Sequence, residues 1–173
     1  MRALWPVRGA FPSGGHKSVV DESCTETDDF AGAERGSGWH IARVEPEEQA
    51  IVIRTAADAA ALAEPLLAGV EGERIVVLHL SRDRRVIAVA EYAGEAEQAE
   101  LPLRRIMEEA LRLGSEGLVV AHNHPSGDPE PSEADLSATR ELAATARSLG
   151  IALHDHLIFA GGEWRSLRQM GLL

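Results

Sequence analysis

The sequence lacks features that mark several common protein classes. Cys24 is its only cysteine, which excludes a disulfide scaffold and any zinc framework built from cysteine thiolates. No apolar run approaches the roughly 20 residues that a membrane-spanning helix needs. The N-terminal stretch MRALWPVRGAFPSGG also lacks the sustained apolar core of a signal peptide. We therefore expect a soluble, cytoplasmic protein with no membrane contact.

Basic charge is scarce relative to acidic charge. The chain has 17 Lys and Arg against 28 Asp and Glu, a formal net charge of -11. Because DNA is a polyanion that binds basic surfaces, this balance argues against direct DNA binding. The length of 173 residues suits a single domain with a substantial core. The sequence leaves the oligomeric state open, and a dimer is compatible with it.

Residues 1–50 differ in composition from the remainder of the chain. Gly, Ser, Pro and Thr cluster there, and no helical or strand periodicity persists. The run DESCTETDD, residues 21–29, is too polar to bury a core, and GAERGSG, residues 32–38, is typical of a linker. We predict a flexible or disordered N-terminal arm over residues 1–50 and a folded domain over residues 51–173.

Helix and strand patterns alternate from Thr55 onward. Three helices are predicted: one over 56–69 with a kink or early end at Pro65, one over 101–114, and one that Ser132 caps and Gly150 ends. Strands are predicted over 74–81, 86–93, 117–124, 151–160 and 163–167. This order predicts an α/β fold, a mixed β-sheet flanked by helices rather than a repeating βαβ unit.

The most informative segment is AHNHPSGDPEPSEAD, residues 121–135. His122 and His124 lie at alternate positions of a strand end, so both side chains point to the same side. The turn PSGDPEP leads back to the next helix, and Asp135 lies in its first turn. Two imidazoles and one carboxylate, with a fourth position open for water, match the ligands of a catalytic zinc site. The alternative is that these are ordinary polar loop residues; the spacing of the whole string favours the metal site.

The string H-N-H-P-S-G-D-P-x-P-S-x-x-D resembles the signature of the JAMM (MPN+, JAB) zinc metalloproteases, in the form carried by RadC-like bacterial proteins. The resemblance continues through LGIALHDHLIF and the closing EWRSLRQMGLL. It implies a cytidine-deaminase-like JAMM/MPN fold and one Zn²⁺ per chain, held by His122, His124, Asp135 and a water. It also implies a glutamate from an upstream strand as general base, and a serine, here Ser132, that helps to stabilise the oxyanion.

Glu73 is the predicted general base. It stands at the head of the first predicted strand, which matches the register of the glutamate in RadC-like proteins. A base must also lie within hydrogen-bond reach of the attacking water. Glu71 and Glu91 are the alternative candidates, and the competing interpretation of Glu73 is a solvated charge at a strand start.

Asp155 and His156 recur in the RadC-like pattern, and two interpretations of them stay open. In the first, they orient a zinc ligand, since metal-bound histidines usually donate the N–H of their second ring nitrogen to a partner. In the second, they form hydrogen bonds only within the sheet. Alternation places Asp155 on the face opposite His154 and His156, so at most one set faces the metal. His79 interrupts an apolar strand and is interpreted as a core or edge histidine with its hydrogen bonds satisfied.

The predicted function is zinc-dependent hydrolysis of an amide bond by a metallopeptidase or isopeptidase, with Glu73 assisting the attack of water. The resemblance implies an extended peptide or ubiquitin-like tail as substrate. Two alternatives are a RadC-type protein associated with DNA repair and a non-catalytic MPN-type interaction module. The helix-hairpin-helix region common in RadC proteins is not recognisable here, which weakens the DNA-repair alternative. The intact ligand string weakens the non-catalytic alternative. A zinc deaminase is excluded because it needs a P-C-x-x-C pair.

Overall fold

The computed structural model describes residues 39–43, 51–93 and 101–173. The strands within these ranges are β1 (Trp39–Arg43), β2 (Arg74–Leu80), β3 (Val86–Ala93), β4 (Gly117–Asn123), β5 (Ala152–Ala160) and β6 (Glu163–Ser166). The helices are α1 (Ala56–Leu67), α2 (Leu103–Leu113) and α3 (Glu133–Ser148). Over the described residues, every helix falls short of the length and apolar content that crossing a bilayer requires.

The strands form one six-stranded sheet in the order β1-β3-β2-β4-β5-β6. β4 and β5 run parallel, and each of the other neighbouring pairs is antiparallel. The parallel pair is joined by α3, as a crossover connection requires, whereas the antiparallel hairpins need only short turns. The predicted α/β class, a mixed sheet flanked by helices, is confirmed.

Strand β1 lies within residues 1–50, for which the sequence predicts no regular element. Its five residues pair with β3 from Trp39↔Tyr92 to Arg43↔Ala88. A short edge strand is held mainly by its backbone hydrogen bonds, so it needs no strong hydrophobic pattern of its own. The polar composition of the flanking segments also hides the strand from sequence-based prediction. The other residues of the predicted arm lie outside the described residues, and its boundary at residue 50 stays a prediction.

Helix α1 begins where the sequence predicts. Thr55 is its N-cap: Thr55 Oγ1 accepts from the Asp58 N–H at 3.2 Å, and Asp58 Oδ2 accepts from the Thr55 N–H at 2.8 Å. Pro65 lies inside the helix and does not end it. The helix ends at Leu67, two residues short of the predicted boundary, and Gly69 follows with φ 70°.

The sheet has a hydrophobic core on each face. Helix α1 covers one core, whose central side chains include Val76, Leu78, Leu80, Val119 and Leu157. Helices α2 and α3 cover the other, which includes Val77, Ile106, Leu118, Val120 and Leu142. Strand β4 is buried along its whole length between β2 and β5. Its C-terminal end therefore delivers the H-N-H string to a fixed position, from which residues 124–132 lead to α3.

Candidate metal centre

His122 and His124 lie side by side at the end of β4. Strand alternation places both on the face that carries Val120, the face that α2 and α3 cover. Their Nε2 atoms are 2.9 Å apart. The His122 side chain is 3% exposed and that of His124 is 15% exposed, so the pair forms the floor of a partly open site.

Asp135 faces both histidines from the first turn of α3. Its Oδ1 is 3.2 Å from Nε2 of His122, and its Oδ2 is 3.4 Å from Nε2 of His124. Burial alone would raise the pKa of Asp135, but the close contacts of its carboxylate with the His122 ring and with Ser132 outweigh it and hold that pKa well below its usual range. The carboxylate is therefore a permanent negative charge beside the two rings.

The tautomer of His124 follows from its hydrogen bond on the other side of the ring. Nδ1 of His124 lies 2.8 Å from the carbonyl oxygen of Asp128. A carbonyl oxygen can only accept, so Nδ1 carries the proton and donates it. In the neutral ring, Nε2 of His124 is left with a lone pair that points into the site.

His122 is oriented by a chain of hydrogen bonds through α3 and β5. Thr139 Oγ1 donates to the carbonyl oxygen of Asp135 at 2.5 Å, so the same hydroxyl accepts from Nδ1 of His156 at 2.6 Å. Burial, and then the neighbouring His122, hold the pKa of His156 well below its usual range. His156 is therefore neutral, and its Nε2 accepts from Nδ1 of His122 at 2.8 Å. This leaves a lone pair on Nε2 of His122 as well.

The contacts among His122, His124 and Asp135 bear on whether these residues could hold a metal ion. Two ring nitrogens and a carboxylate converge within 3.4 Å of one another, a close set of electron-rich atoms that either a proton or a bound metal ion would stabilise. Two imidazoles and a carboxylate suit zinc, and the bonds to Asp128 and His156 are the outer contacts that zinc-binding histidines usually make. The donor set fits zinc.

Glu73 lies next to this cluster. It directly precedes β2, and its Oε1 is 3.9 Å from Nε2 of His122. Ligand atoms of Glu73, His122 and His124 all lie within 4.8 Å of one another. The two alternative candidates lie elsewhere: Glu71 is exposed, and Glu91 forms an ion pair with Arg74 at 3.1 Å.

Ser132 lies at the rim of the site as the N-cap of α3. Its hydroxyl donates to Asp135 Oδ2 at 2.6 Å and accepts from the Asp135 N–H at 3.1 Å, while the Ser132 N–H donates to Oδ2 at 2.7 Å. The predicted helix start is thus present, and Ser132 and Asp135 together form a capping box. The role of Ser132 toward an oxyanion stays a prediction.

An open cleft of about 310 Å³ borders the cluster. Its lining consists of Glu73, His124, Pro125, Ser126, Asp128, Glu130 and Ser132. The cleft thus combines the candidate base, one candidate metal ligand and Ser132 on a single solvent-accessible surface.

The two open interpretations of Asp155 and His156 apply to different residues. His156 contacts His122, as the first interpretation has it. Asp155 lies on the opposite face, where Oδ2 accepts from Ser166 Oγ at 2.6 Å and Oδ1 from the Arg168 N–H at 3.2 Å. Oδ1 also accepts from the backbone N–H of His156 at 2.8 Å, so Asp155 holds the end of β6 and the segment after it against β5.

Sequence reasoning missed Thr139. A threonine inside a helix commonly bonds the carbonyl four residues before it, and here that carbonyl belongs to Asp135. The spacing of Asp135 and Thr139 was the available signal. His79 also differs from its interpretation: Nδ1 bonds Ser115 Oγ at 3.0 Å, but the buried Nε2 has no hydrogen-bond partner among the described residues.

Comparison with known proteins gives consistent matches. A sequence profile for the RadC-like JAB domain matches residues 53–172. A UPF0758 protein of Rhodobacter capsulatus is 41% identical over 102 residues, 58% of this chain and 48% of its own length. A UPF0758 protein of Chloroflexus aurantiacus is 36% identical over 136 residues, 78% of this chain and 59% of its own length.

A third UPF0758 protein, from Salinibacter ruber, is 32% identical over 140 residues, 79% of this chain and 59% of its own length. The chain thus spans about half the length of the curated relatives that it matches. The profile match includes every described strand except β1, together with all three described helices. On this evidence the chain belongs to the RadC-like JAB domain family.

Proposed function

We propose that this domain is a zinc-dependent hydrolase of amide bonds, a metallopeptidase or isopeptidase of the JAMM type. One observation carries the proposal: two imidazole nitrogens and a carboxylate converge beside an open cleft, with the Glu73 carboxylate 3.9 Å from Nε2 of His122. A structural zinc site would instead be closed by a fourth protein ligand.

His122, His124 and Asp135 would hold the zinc, one ion per chain. When bound, the ion lowers the pKa of a water to about 7 and polarises the carbonyl of the substrate. The chain itself supplies the orientation of the ligands, because each histidine is fixed through its second nitrogen. The ligands are therefore placed before the ion arrives.

Glu73 would move the proton. Its carboxylate accepts a proton from the attacking water and then donates it to the nitrogen of the leaving amine, so that it ends the cycle ionised. The side chain is 28% exposed, which leaves it open to the cleft while the histidine floor lies beneath it. Ser132, at the cleft rim, would donate its hydroxyl hydrogen to the developing oxyanion once that hydroxyl turns away from Asp135.

An extended peptide or protein tail is the proposed substrate. The cleft is open and borders exposed residues of the 125–130 loop, which suits a segment that lies across the surface better than a small molecule enclosed in a pocket. The ubiquitin-like character of such a tail rests on the family resemblance. The net charge of -11 supports a protein partner over DNA.

The first experiment measures metal. Zinc content of the purified full chain is expected to be about one ion per chain, and His122→Ala is expected to abolish it. His154→Ala is the matched control, since this histidine lies near the start of β5, at the opposite end of the sheet from His122. Wild-type protein that binds no zinc, or zinc that is retained in His122→Ala, would contradict the proposal.

The second experiment measures turnover on a panel of peptide–aminocoumarin amides and isopeptide-linked peptides. Glu73→Gln is expected to retain zinc and to lose at least 100-fold in kcat/KM, in line with general base catalysis. Glu71→Gln is the control, because that exposed side chain lies two residues away. Absence of turnover in the zinc-loaded wild type would favour a non-catalytic module, whereas equal activity of Glu73→Gln and wild type would exclude Glu73 as the general base.

A further inference from the structure

Asn123 is the middle residue of the H-N-H string, and its side chain forms its hydrogen bonds with a different segment of the chain. It is the last residue of β4 and is only 8% exposed. Strand alternation directs it away from the face that carries His122 and His124. A buried amide needs hydrogen-bond partners, so its contacts show what holds it.

The oxygen and the nitrogen of the Asn123 side-chain amide each form a hydrogen bond with the backbone, one on either side of Glu73. Oδ1 accepts from the Arg74 N–H at 2.7 Å, and Nδ2 donates to the Gly72 carbonyl oxygen at 2.8 Å. The partners lie 49 and 51 positions away in the sequence, so these bonds tie the two site segments together.

The backbone pairing of β2 and β4 ends just before this point. Its last register pair is Ile75↔His122, so Gly72 and Arg74 lie beyond the regular ladder. The Asn123 side chain has the same donor and acceptor as a peptide group and extends the pairing in place of the main chain. Gly72 adopts φ 102°, a conformation that favours glycine.

We propose that Asn123 is a positioning residue for Glu73. It fixes the peptide groups before and after Glu73 and so holds that carboxylate beside the histidines. The inference rests on the proposed function, in which Glu73 moves the proton. Among neutral side chains of this length, only asparagine accepts from one backbone group and donates to the other. Aspartate keeps the acceptor but loses the donor and places a charge against the Gly72 carbonyl.

The metal ligands do not depend on these bonds. The end of β4 is also held by its parallel pairing with β5, through His122↔Ile158 and Asn123↔Phe159. The ring orientations depend on Asp128 and His156. Loss of the Asn123 bonds should therefore displace the base and leave the zinc ligands in place.

The test compares Asn123→Asp in two backgrounds. In the otherwise wild-type chain we expect zinc content of one ion per chain, kcat reduced by about 10- to 100-fold as for a misplaced catalytic group, and KM little changed. In the Glu73→Gln background we expect no further loss, because the bonds act only through Glu73. An added loss of similar size in that background, or loss of zinc, would overturn the inference.

A second readout needs no substrate. Amide hydrogen exchange at Arg74 should be at least tenfold faster in Asn123→Leu, which removes the acceptor of the Arg74 N–H, while exchange at Val76 and Val77 in the middle of β2 stays unchanged. Gly72→Ala strains the same segment without altering β4 and should reproduce the kcat loss with zinc retained. Unchanged exchange at Arg74 would overturn the positioning role of Asn123 but not the proposed function. Zinc-loaded wild-type protein without turnover would overturn both.

Discussion

Nδ1 of His122 and Nε2 of His156 lie 2.8 Å apart across the parallel strands β4 and β5. The register pairs His156 with Val120 and His122 with Ile158, so the two rings are diagonal neighbours on one face of the sheet. The orientation of His122, a candidate metal ligand, thus depends on a residue of β5 that lies 34 positions later in the sequence. His156 in turn depends on the hydroxyl of Thr139 in α3.

Thr139→Val is expected to weaken zinc binding. Valine keeps the branched shape of threonine but leaves Nδ1 of His156 without an acceptor, so the proton of His156 can move to Nε2, where it opposes the proton of His122. We expect the zinc Kd to rise by about 10- to 100-fold, measured by competition with a chelator. Thr145→Val, on the same helix, is the control and should leave the Kd unchanged. Equal affinities of Thr139→Val and wild type would refute the hydrogen-bond chain.

Ser132→Ala is expected to lower both stability and activity. Alanine removes the N-cap acceptor of α3, which should reduce the free energy of unfolding by about 1 kcal/mol. It also removes a donor to Asp135 and the hydroxyl at the cleft rim. Thr55→Ala is the matched control, because Thr55 forms the same capping box on α1. Urea unfolding should show similar losses for the two variants, and only Ser132→Ala should reduce kcat. Equal kcat in both would confine Ser132 to capping.

His79 is expected to make the fold sensitive to acid. Burial, and then the charge of Arg112, lower the pKa of His79 to about 4. The unfolded chain takes up a proton below pH 6.5 while the folded chain does not until about pH 4, so stability should fall as the pH drops through this interval. The contribution is up to about 3 kcal/mol, at 1.36 kcal/mol per pKa unit.

His79→Gln removes this titration and keeps a polar group beside Ser115. The free energy of unfolding of the variant, measured by urea titration between pH 4 and 7, should fall less steeply toward acid than that of the wild type. Parallel curves for the two proteins would show that His79 does not titrate in this way.

Tyr92→Phe is expected to destabilise the core under α2. The Tyr92 hydroxyl donates to the buried carboxyl of Glu109, whose pKa is raised by burial. Without this donor the free energy of unfolding should fall by about 1–3 kcal/mol. Replacing both partners, as in Tyr92→Phe with Glu109→Leu, should cost less than Tyr92→Phe alone, because no buried carboxyl is left unsatisfied. Thermal unfolding of the two variants checks this order, and the reverse order would contradict it.

The sequence predicted the features of the site that depend on local spacing. Alternation places His122 and His124 on one side of β4, and the Ser132–Asp135 interval specifies a capping box, so the ligand string and the start of α3 could be predicted together. The hydrophobic pattern likewise indicated five of the described strands. Strand β1 was missed because its pairing with β3 is a long-range contact that leaves no local pattern.

The partners of the site residues could not be predicted, because they depend on sheet order. Asn123 reaches Gly72 and Arg74 only because β2 lies next to β4. The face of His156 depends on a register shift between Leu118 and Val119 in the pairing with β5, which no periodicity in the sequence encodes. Such contacts follow from the assembled sheet and not from any one segment.

The parallel and antiparallel neighbours of β4 limit how far its motif can be transplanted. A synthetic peptide that copies residues 122–135 would carry all three candidate ligands but neither Glu73 nor His156, which arrive on β2 and β5 from opposite chain directions. In such a peptide the ring of His122 would lack its partner His156, and ion capture would have to supply the ordering that the folded sheet already provides. Grafting this chemistry onto another scaffold would therefore require three adjacent strands, and copying the string of letters alone would not suffice.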